Sequence, residues 1–191
     1  MTTHQVGYLI GSLSEQSINR TLSKALVRLA PRSMQLTEIA VGSLPLYNRD
    51  LDDDMPQEAQ ELKRVISDVD AILYITPEYN RSIRGVLKNA IDWASRPYGQ
   101  NSLARKPSAV IGTSPGAIGT AVGQQHLKSI LSYCNSPQMN AIEAYIQFKP
   151  EVFGDDGSVN DADTEDFLRT YMHEFNEFIA RVLQVLPPDE D

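Results

Sequence analysis

The sequence predicts an α/β domain built on an open, doubly wound, five-stranded parallel sheet with helices on both faces. Three observations carry that expectation. Strand-like and helix-like stretches alternate along the chain. The run Ala71–Ile75 is continuously apolar over the length of a strand, as expected where both sheet faces are covered. Each strand candidate is followed by a helix-length segment, so the connections are right-handed crossovers between parallel neighbours. A chain of 191 residues and 21.2 kDa suits a single domain spanning 1–191, large enough to bury a core without a disulfide or a structural metal.

Taken in order, Gln5–Ile10 is β-branched and aromatic, stops at Gly11 and reads as a first strand. From Ile18 the positions Leu22, Ala25, Leu26 and Leu29 recur at steps of three and four and form one apolar stripe, closed by Pro31. Gln35–Ala40 reads as a second strand, followed by a long polar loop from Gly42 to Asp54. Pro56 then opens a helix carrying Leu62, Val65 and Ile66 on one side. Ala71–Ile75 is the third strand, and Arg84–Ala94 the next helix, with Val86, Leu87, Ala90, Ile91 and Ala94 in register. Ser108–Gly112 supplies a fourth strand and a glycine-rich loop reaches Gly119. A helix through Val122, Leu127, Ile130 and Leu131 runs to about Cys134. Ala141–Phe148 is the fifth strand. A last helix over Thr164–Leu186 has Phe167, Tyr171, Phe175, Phe178, Ile179 and Val182 on its apolar side and ends at Pro187 and Pro188.

Composition narrows the function. Seventeen basic against 25 acidic residues give a net charge of −8, which would repel a phosphate backbone, so nucleic acid is not an expected partner. No apolar run approaches the roughly 20 residues of a membrane span, and the polar start at Met1–Gln5 is unlike a signal peptide. The single cysteine, Cys134, cannot form an intramolecular disulfide and reads as a small buried hydrophobe. With three histidines and no thiol cluster a metal site is not expected, and a reducing cytoplasm is the natural compartment. His126 falls within a helix and reads as a helix-surface residue, and Trp93 shares the face of Val86 and Ala90, which suits core or subunit packing. Charge is uneven: Glu151–Asp191 holds 12 acids and two arginines, whereas Arg81–Lys106 holds six basic residues and one acid, Asp92.

In a doubly wound sheet ligands sit beyond the carboxyl ends of the strands, where strand order reverses. The informative loops are therefore those after the first, third and fourth strands. The first, Gly11-Ser12-Leu13-Ser14-Glu15-Gln16-Ser17-Ile18-Asn19, leads straight into a helix. Free N–H groups and the helix dipole favour an anion there, and Ser12, Ser17 and Asn19 add compact hydrogen-bonding groups. A terminal phosphate fits this loop, and a simple Ser17 helix cap fits it equally. It has neither the Gly-Lys-Ser/Thr ending of a P-loop nor the three-glycine dinucleotide fingerprint, which disfavours a nucleoside triphosphate or a Rossmann-bound NAD.

After the third strand stands Thr76-Pro77-Glu78-Tyr79-Asn80-Arg81-Ser82-Ile83-Arg84-Gly85-Val86-Leu87-Lys88-Asn89-Ala90-Ile91-Asp92-Trp93. With the first loop, with Leu44-Pro45-Leu46-Tyr47-Asn48 and with Thr113-Ser114-Pro115-Gly116-Ala117-Ile118-Gly119, this stretch resembles the NAD(P)H-dependent FMN reductase family. That flavodoxin-like group includes quinone, azo-dye and chromate reductases. The likeness covers roughly residues 5–148 and implies strand order 2-1-3-4-5, bound FMN, and NADPH or NADH as co-substrate. It further implies a homodimer or homotetramer. Two positions depart from the family. Ser14 stands where the family usually has an arginine near the FMN phosphate, and Arg84 stands where it often has a proline. Arg81 and Arg84 are both placed in sequence to supply the missing charge.

The residue chemistry agrees with the resemblance. An isoalloxazine ring is flat and largely apolar, with polar groups along one edge. Pro77 stiffens the loop after the third strand, Tyr79 offers an aromatic surface, and Glu78, Asn80 and Ser82 can meet the ring edge. Ser114, Gly116 and Ala117 form a small-residue loop that the ring can approach closely. Taken singly, Tyr79 also suits a half-buried surface position, and Gly116 and Gly119 suit an ordinary turn. The expected FMN-binding set is therefore Gly11, Ser12, Ser17, Ile18, Asn19, Pro77, Glu78, Tyr79, Asn80, Ser82, Ser114, Gly116 and Ala117. No side-chain acid or base is needed, because flavin N5 takes the hydride. The expected activity passes electrons from NAD(P)H through FMN to a quinone or another electron-poor acceptor, such as an azo compound, chromate or free flavin, in a ping-pong cycle at one shared site. The alternative is a flavodoxin-like electron carrier without pyridine-nucleotide turnover.

Overall fold

A computed structural model describes residues 3–186. Its single sheet has five parallel strands in the order β2-β1-β3-β4-β5. These are β1 (His4–Ile10), β2 (Met34–Glu38), β3 (Ala71–Ile75), β4 (Ser108–Ser114) and β5 (Tyr145–Gln147). Between and after them run α1 (Ile18–Leu29), α2 (Gln57–Asp68), α3 (Gly85–Ala94), α4 (Ala121–Tyr133) and α5 (Ala162–Val185). The expected flavodoxin-like doubly wound sheet is therefore present.

Alternation along β3 divides the core in two. Ala71, Leu73 and Ile75 face the layer of α1 and α5, against Leu22, Leu26, Leu168, Tyr171 and Phe175. Ile72 and Tyr74 face the layer of α2, α3 and α4, against Ile66, Leu87, Trp93 and Leu127. All five β3 residues are buried, as a strand covered on both faces requires. Trp93 is a core residue, and its indole Nε1 donates to the Pro45 carbonyl at 2.8 Å. Asn89 accepts from the Tyr47 N–H and donates to the same Pro45 carbonyl, so α3 fastens the 44–48 loop to the sheet.

The differences from expectation lie at element ends. β5 is three residues rather than the expected Ala141–Phe148. The chain first touches β4 through an isolated bridge at Ser108–Gln138, then bulges away while Gln124 Nε2 takes the Ala144 carbonyl, and rejoins only at Tyr145. β4 correspondingly extends to Ser114, because Thr113 and Ser114 pair with Ile146 and Gln147. β2 ends at Glu38, although Ile39 still donates to the Tyr8 carbonyl. The long polar loop expected over Gly42–Asp54 contains a short 3-10 turn at Arg49–Leu51. α5 starts at Ala162, ahead of Thr164, because the Asp161 carboxylate accepts from the Thr164 N–H and caps it. Pro187 and Pro188, expected to end that helix, lie outside the described residues, as do Met1 and Thr2. Cys134 is buried, and burial pushes its thiol up, in keeping with an inert hydrophobe. No helix among the described residues is long and apolar enough to cross a membrane.

Candidate functional site

The loops after β1, β3 and β4 meet at the carboxyl edge of the sheet, where strand order reverses between β1 and β3. They enclose an open cleft of 230 Å³. Its walls are Ser12, Ser14, Gln16, Ser17, Ile18 and Asn19 from the first loop, Pro77, Glu78, Tyr79 and Arg84 from the second, and Thr113, Ser114 and Pro115 from the third. Eight of the thirteen expected binding residues stand here: Ser12, Ser17, Ile18, Asn19, Pro77, Glu78, Tyr79 and Ser114.

The other five stand beside the cleft rather than in its wall. Gly11 lies beneath it: its N–H donates to the Ile75 carbonyl, and a Cβ there would come within 3.1 Å of Pro77 Cδ, so glycine permits the close approach of β1 to the Pro77 loop. Asn80 and Arg81 occupy a tight turn with φ of 51° and 62°, closed by two backbone hydrogen bonds exchanged between Tyr79 and Ser82 at 2.9 Å. Ser82 Oγ lies 3.0 Å from His126 Nδ1, which gives that helix-surface histidine a partner. Gly116 and Ala117 are exposed in the loop after β4. That loop is shaped instead by Gly119, whose φ is +58° and whose Cβ would fall 2.7 Å from the Tyr145 carbonyl carbon.

Side chains within the wall divide into those already engaged and those still open. The Asn19 amide donates to the Thr113 carbonyl at 2.9 Å and accepts from the Thr113 N–H at 3.0 Å, which locks the start of α1 to the end of β4. One N–H and the oxygen of its amide are thereby engaged, and Asn19 positions the loop. Glu78 is likewise committed: one carboxylate oxygen accepts from the Gly123 N–H at the start of α4, and the other from Arg81 at 3.1 Å. Ser17 is different. It occupies the N-cap of α1, but its hydroxyl makes no cap hydrogen bond, although the residue is only 9% exposed.

Sequence reasoning left Arg81 and Arg84 open as sources of the charge missing at Ser14, and the structure separates them. Arg81 pairs with Glu78 and does not line the cleft. Arg84 reaches in: its guanidinium carbon lies 4.0 Å from the centroid of the Tyr79 ring, and a terminal nitrogen donates to Ser12 Oγ at 3.1 Å. The Tyr79 face expected to receive a ligand is thus partly covered by Arg84. Ser14, Gln16, Thr113 and Pro115 also line the wall outside the expected set. All four lie in loops already singled out, Ser14 and Gln16 in the first and Thr113 and Pro115 beside Ser114, though Gln16, Thr113 and Pro115 carried no role of their own.

Comparison with known proteins follows the same outline. A model of the family described as NADPH-dependent FMN reductase matches residues 4–151. The chain is 43% identical over 175 residues to 2-hydroxy-1,4-benzoquinone reductase of a Burkholderia species, covering 92% of this chain and 96% of that protein. It is 41% identical over 177 residues to a quinone reductase of Pseudomonas putida, covering 92% and 95%. Among solved structures it is similar to FerB, a flavoenzyme NAD(P)H:(acceptor) oxidoreductase of Paracoccus denitrificans, with a TM-score of 0.91, 46% identity, and 94% of this chain and 98% of the other covered.

Proposed function

The chain belongs to the NADPH-dependent FMN reductase family, and from that premise we propose that the cleft at the β1/β3 switch point seats FMN and passes electrons from NAD(P)H to quinones. The chain is an FMN-dependent NAD(P)H oxidoreductase. One observation carries the assignment of the seat: a single guanidinium faces the uncapped N-terminus of α1 across a cleft whose lining also includes small hydroxyls, prolines and Tyr79. Ser12, Ser17 and Arg84 suit a phosphate monoester, while Pro77, Pro115, Ile18 and Tyr79 suit a flat, largely apolar ring. The Glu78 carboxylate, which would oppose an anion, is turned to Gly123 and Arg81.

Bound FMN supplies hydride acceptance from a reduced nicotinamide and electron delivery to an acceptor. The protein's residues hold the phosphate end, fix the ring end against the Pro77 loop and leave the cleft open, so that NAD(P)H and acceptor use the same side in turn. Quinones are the acceptor class we favour, because two of the relatives above bear that substrate in their names. Azo compounds, chromate and free flavin are further acceptors of the same flat or electron-poor kind. On this reading the chain works as one FMN-binding domain, in a homodimer or homotetramer, in the cytoplasm.

Steady-state kinetics test the reading. Turnover of NAD(P)H with a soluble benzoquinone, measured at several quinone concentrations, should give parallel double-reciprocal lines. Intersecting lines would remove the shared-site cycle. Flavin-loaded protein that fails to oxidise NAD(P)H would establish an electron carrier instead.

A further inference from the structure

We propose that Arg84 is the side chain that recognises the phosphate monoester of the flavin, supplying from the start of α3 a charge that the first loop lacks. The inference rests on the flavin reading above and assigns the phosphate end of that seat to a particular side chain. Arg84 is the one cation among the residues lining the cleft. The other basic side chains nearby are engaged elsewhere: Arg81 pairs with Glu78 and Lys88 with Asp92. The first loop contributes Ser12, Ser14, Gln16 and Ser17 and no positive charge, so a dianionic phosphate would otherwise meet only neutral donors and the helix dipole.

The Arg84 guanidinium is already positioned. Its Cζ lies over the Tyr79 ring and one N–H is fixed on Ser12 Oγ, while a guanidinium carries five N–H donors in all. Less side-chain freedom is therefore lost when an anion binds. The same contact sets the polarity of Ser12. Its oxygen accepts from Arg84 at 3.1 Å and from the Ser14 N–H at 3.4 Å, so what remains to Ser12 for a ligand is its own O–H, a donor. Ser17, buried and without a cap bond, supplies a second hydroxyl on the same wall. Two hydroxyls, a preset guanidinium and a helix N-terminus make a receptor for a doubly charged oxyanion. The neutral hydroxyl terminus of riboflavin gains far less from it.

The experiment compares FMN and riboflavin binding to the flavin-free protein by quenching of flavin fluorescence, in the parent, in Arg84→Ala, in Arg84→Lys and in the double variant Ser14→Arg/Arg84→Ala. Arg84→Ala should weaken FMN about tenfold or more while riboflavin shifts by less than about twofold. The difference should shrink as salt is raised. Arg84→Lys should keep part of the affinity, and Ser14→Arg should restore most of it by placing a cation on the opposite wall of the same cleft. Independently of flavin, inorganic phosphate should raise the Tm of the parent and leave that of Arg84→Ala unchanged. Equal losses for FMN and riboflavin would overturn the proposal and make Arg84 a prop for Tyr79. Unchanged FMN binding with a raised KM for NADPH but not NADH would overturn it in favour of the phosphate of the reduced nucleotide. A parent that takes up neither flavin would refute the flavin reading itself, while the phosphate-dependent melting would still report on Arg84.

Discussion

The loops after β1 and β3 face each other across the cleft, and they handle their polar groups in opposite ways. Between Pro77 and Ser82 the turn, the carboxylate and the serine hydroxyl each have a partner inside the protein. Tyr79 and Ser82 exchange backbone hydrogen bonds, Glu78 holds both Gly123 and Arg81, and Ser82 meets His126. In the first loop the Ser17 hydroxyl makes no cap bond, and Ser12, which accepts from Arg84 and the Ser14 N–H, keeps its own O–H to donate. One loop is a rigid platform and the other a receptor. The contrast separates shape from affinity: the platform orients whatever binds, and the receptor decides which ligand has enough charge to stay.

The largest test of that division is Asn19→Ala. Asn19 belongs to the receptor loop by position, yet its amide satisfies both backbone groups of Thr113 in a buried setting. Losing both hydrogen bonds should cost about 3 kcal/mol, or roughly 6–12 °C in Tm of the flavin-free protein. A melting point near that of the parent would mean that α1 and β4 are held together by something else. Glu78→Ala comes next. It strips a buried carboxylate from the start of α4 and should cost about 2 kcal/mol in urea unfolding, whereas Glu78→Gln, which keeps an acceptor for Gly123, should cost less than about 1 kcal/mol. Equal costs for the two would show that the Arg81 pair, exposed on the arginine side, contributes more than surface ion pairs usually do. The smallest effect is expected from Ser17→Ala. Because the hydroxyl caps nothing, Tm should change by less than a lost cap would produce, while FMN affinity falls about fivefold and riboflavin affinity holds. A drop of about 1 kcal/mol in apo-protein stability, with FMN binding unchanged, would return Ser17 to an ordinary helix cap.

Hydrophobic pattern located all five strands and all five α-helices, the helices through a period near 3.6 on a buried face and β3 through an unbroken apolar run covered on both faces. It failed where tertiary partners decide. Residues 141–148 look like one strand by pattern, but Gln124 captures the Ala144 carbonyl and delays pairing until Tyr145. The site shows the same division. The loop after β3 is legible as a motif because its contacts are mostly short-range. The links from Arg84 to Ser12 and from Asn19 to Thr113 join residues 72 and 94 positions apart, and no local pattern marks either pair. The replacement of arginine by Ser14 and of proline by Arg84 was visible in the sequence as two separate departures. Only the fold places both on one cleft, on facing walls.

The clasp between Asn19 and Thr113 continues outward, since Thr113 Oγ1 donates to the Ile146 carbonyl and Phe148 N–H donates to the Ser114 carbonyl. The mouth of the cleft is thereby strung to β5, the shortest strand and an open edge of the sheet. Short edge strands belong to the part of a fold that opens most readily by local fluctuation. In hydrogen-exchange terms, β5 and the end of β4 are expected to open as one unit. Occupation of the cleft should slow amide exchange at Ile146 and Phe148, residues that do not line it, which would make the rim of the sheet a remote gauge of whether the site is filled.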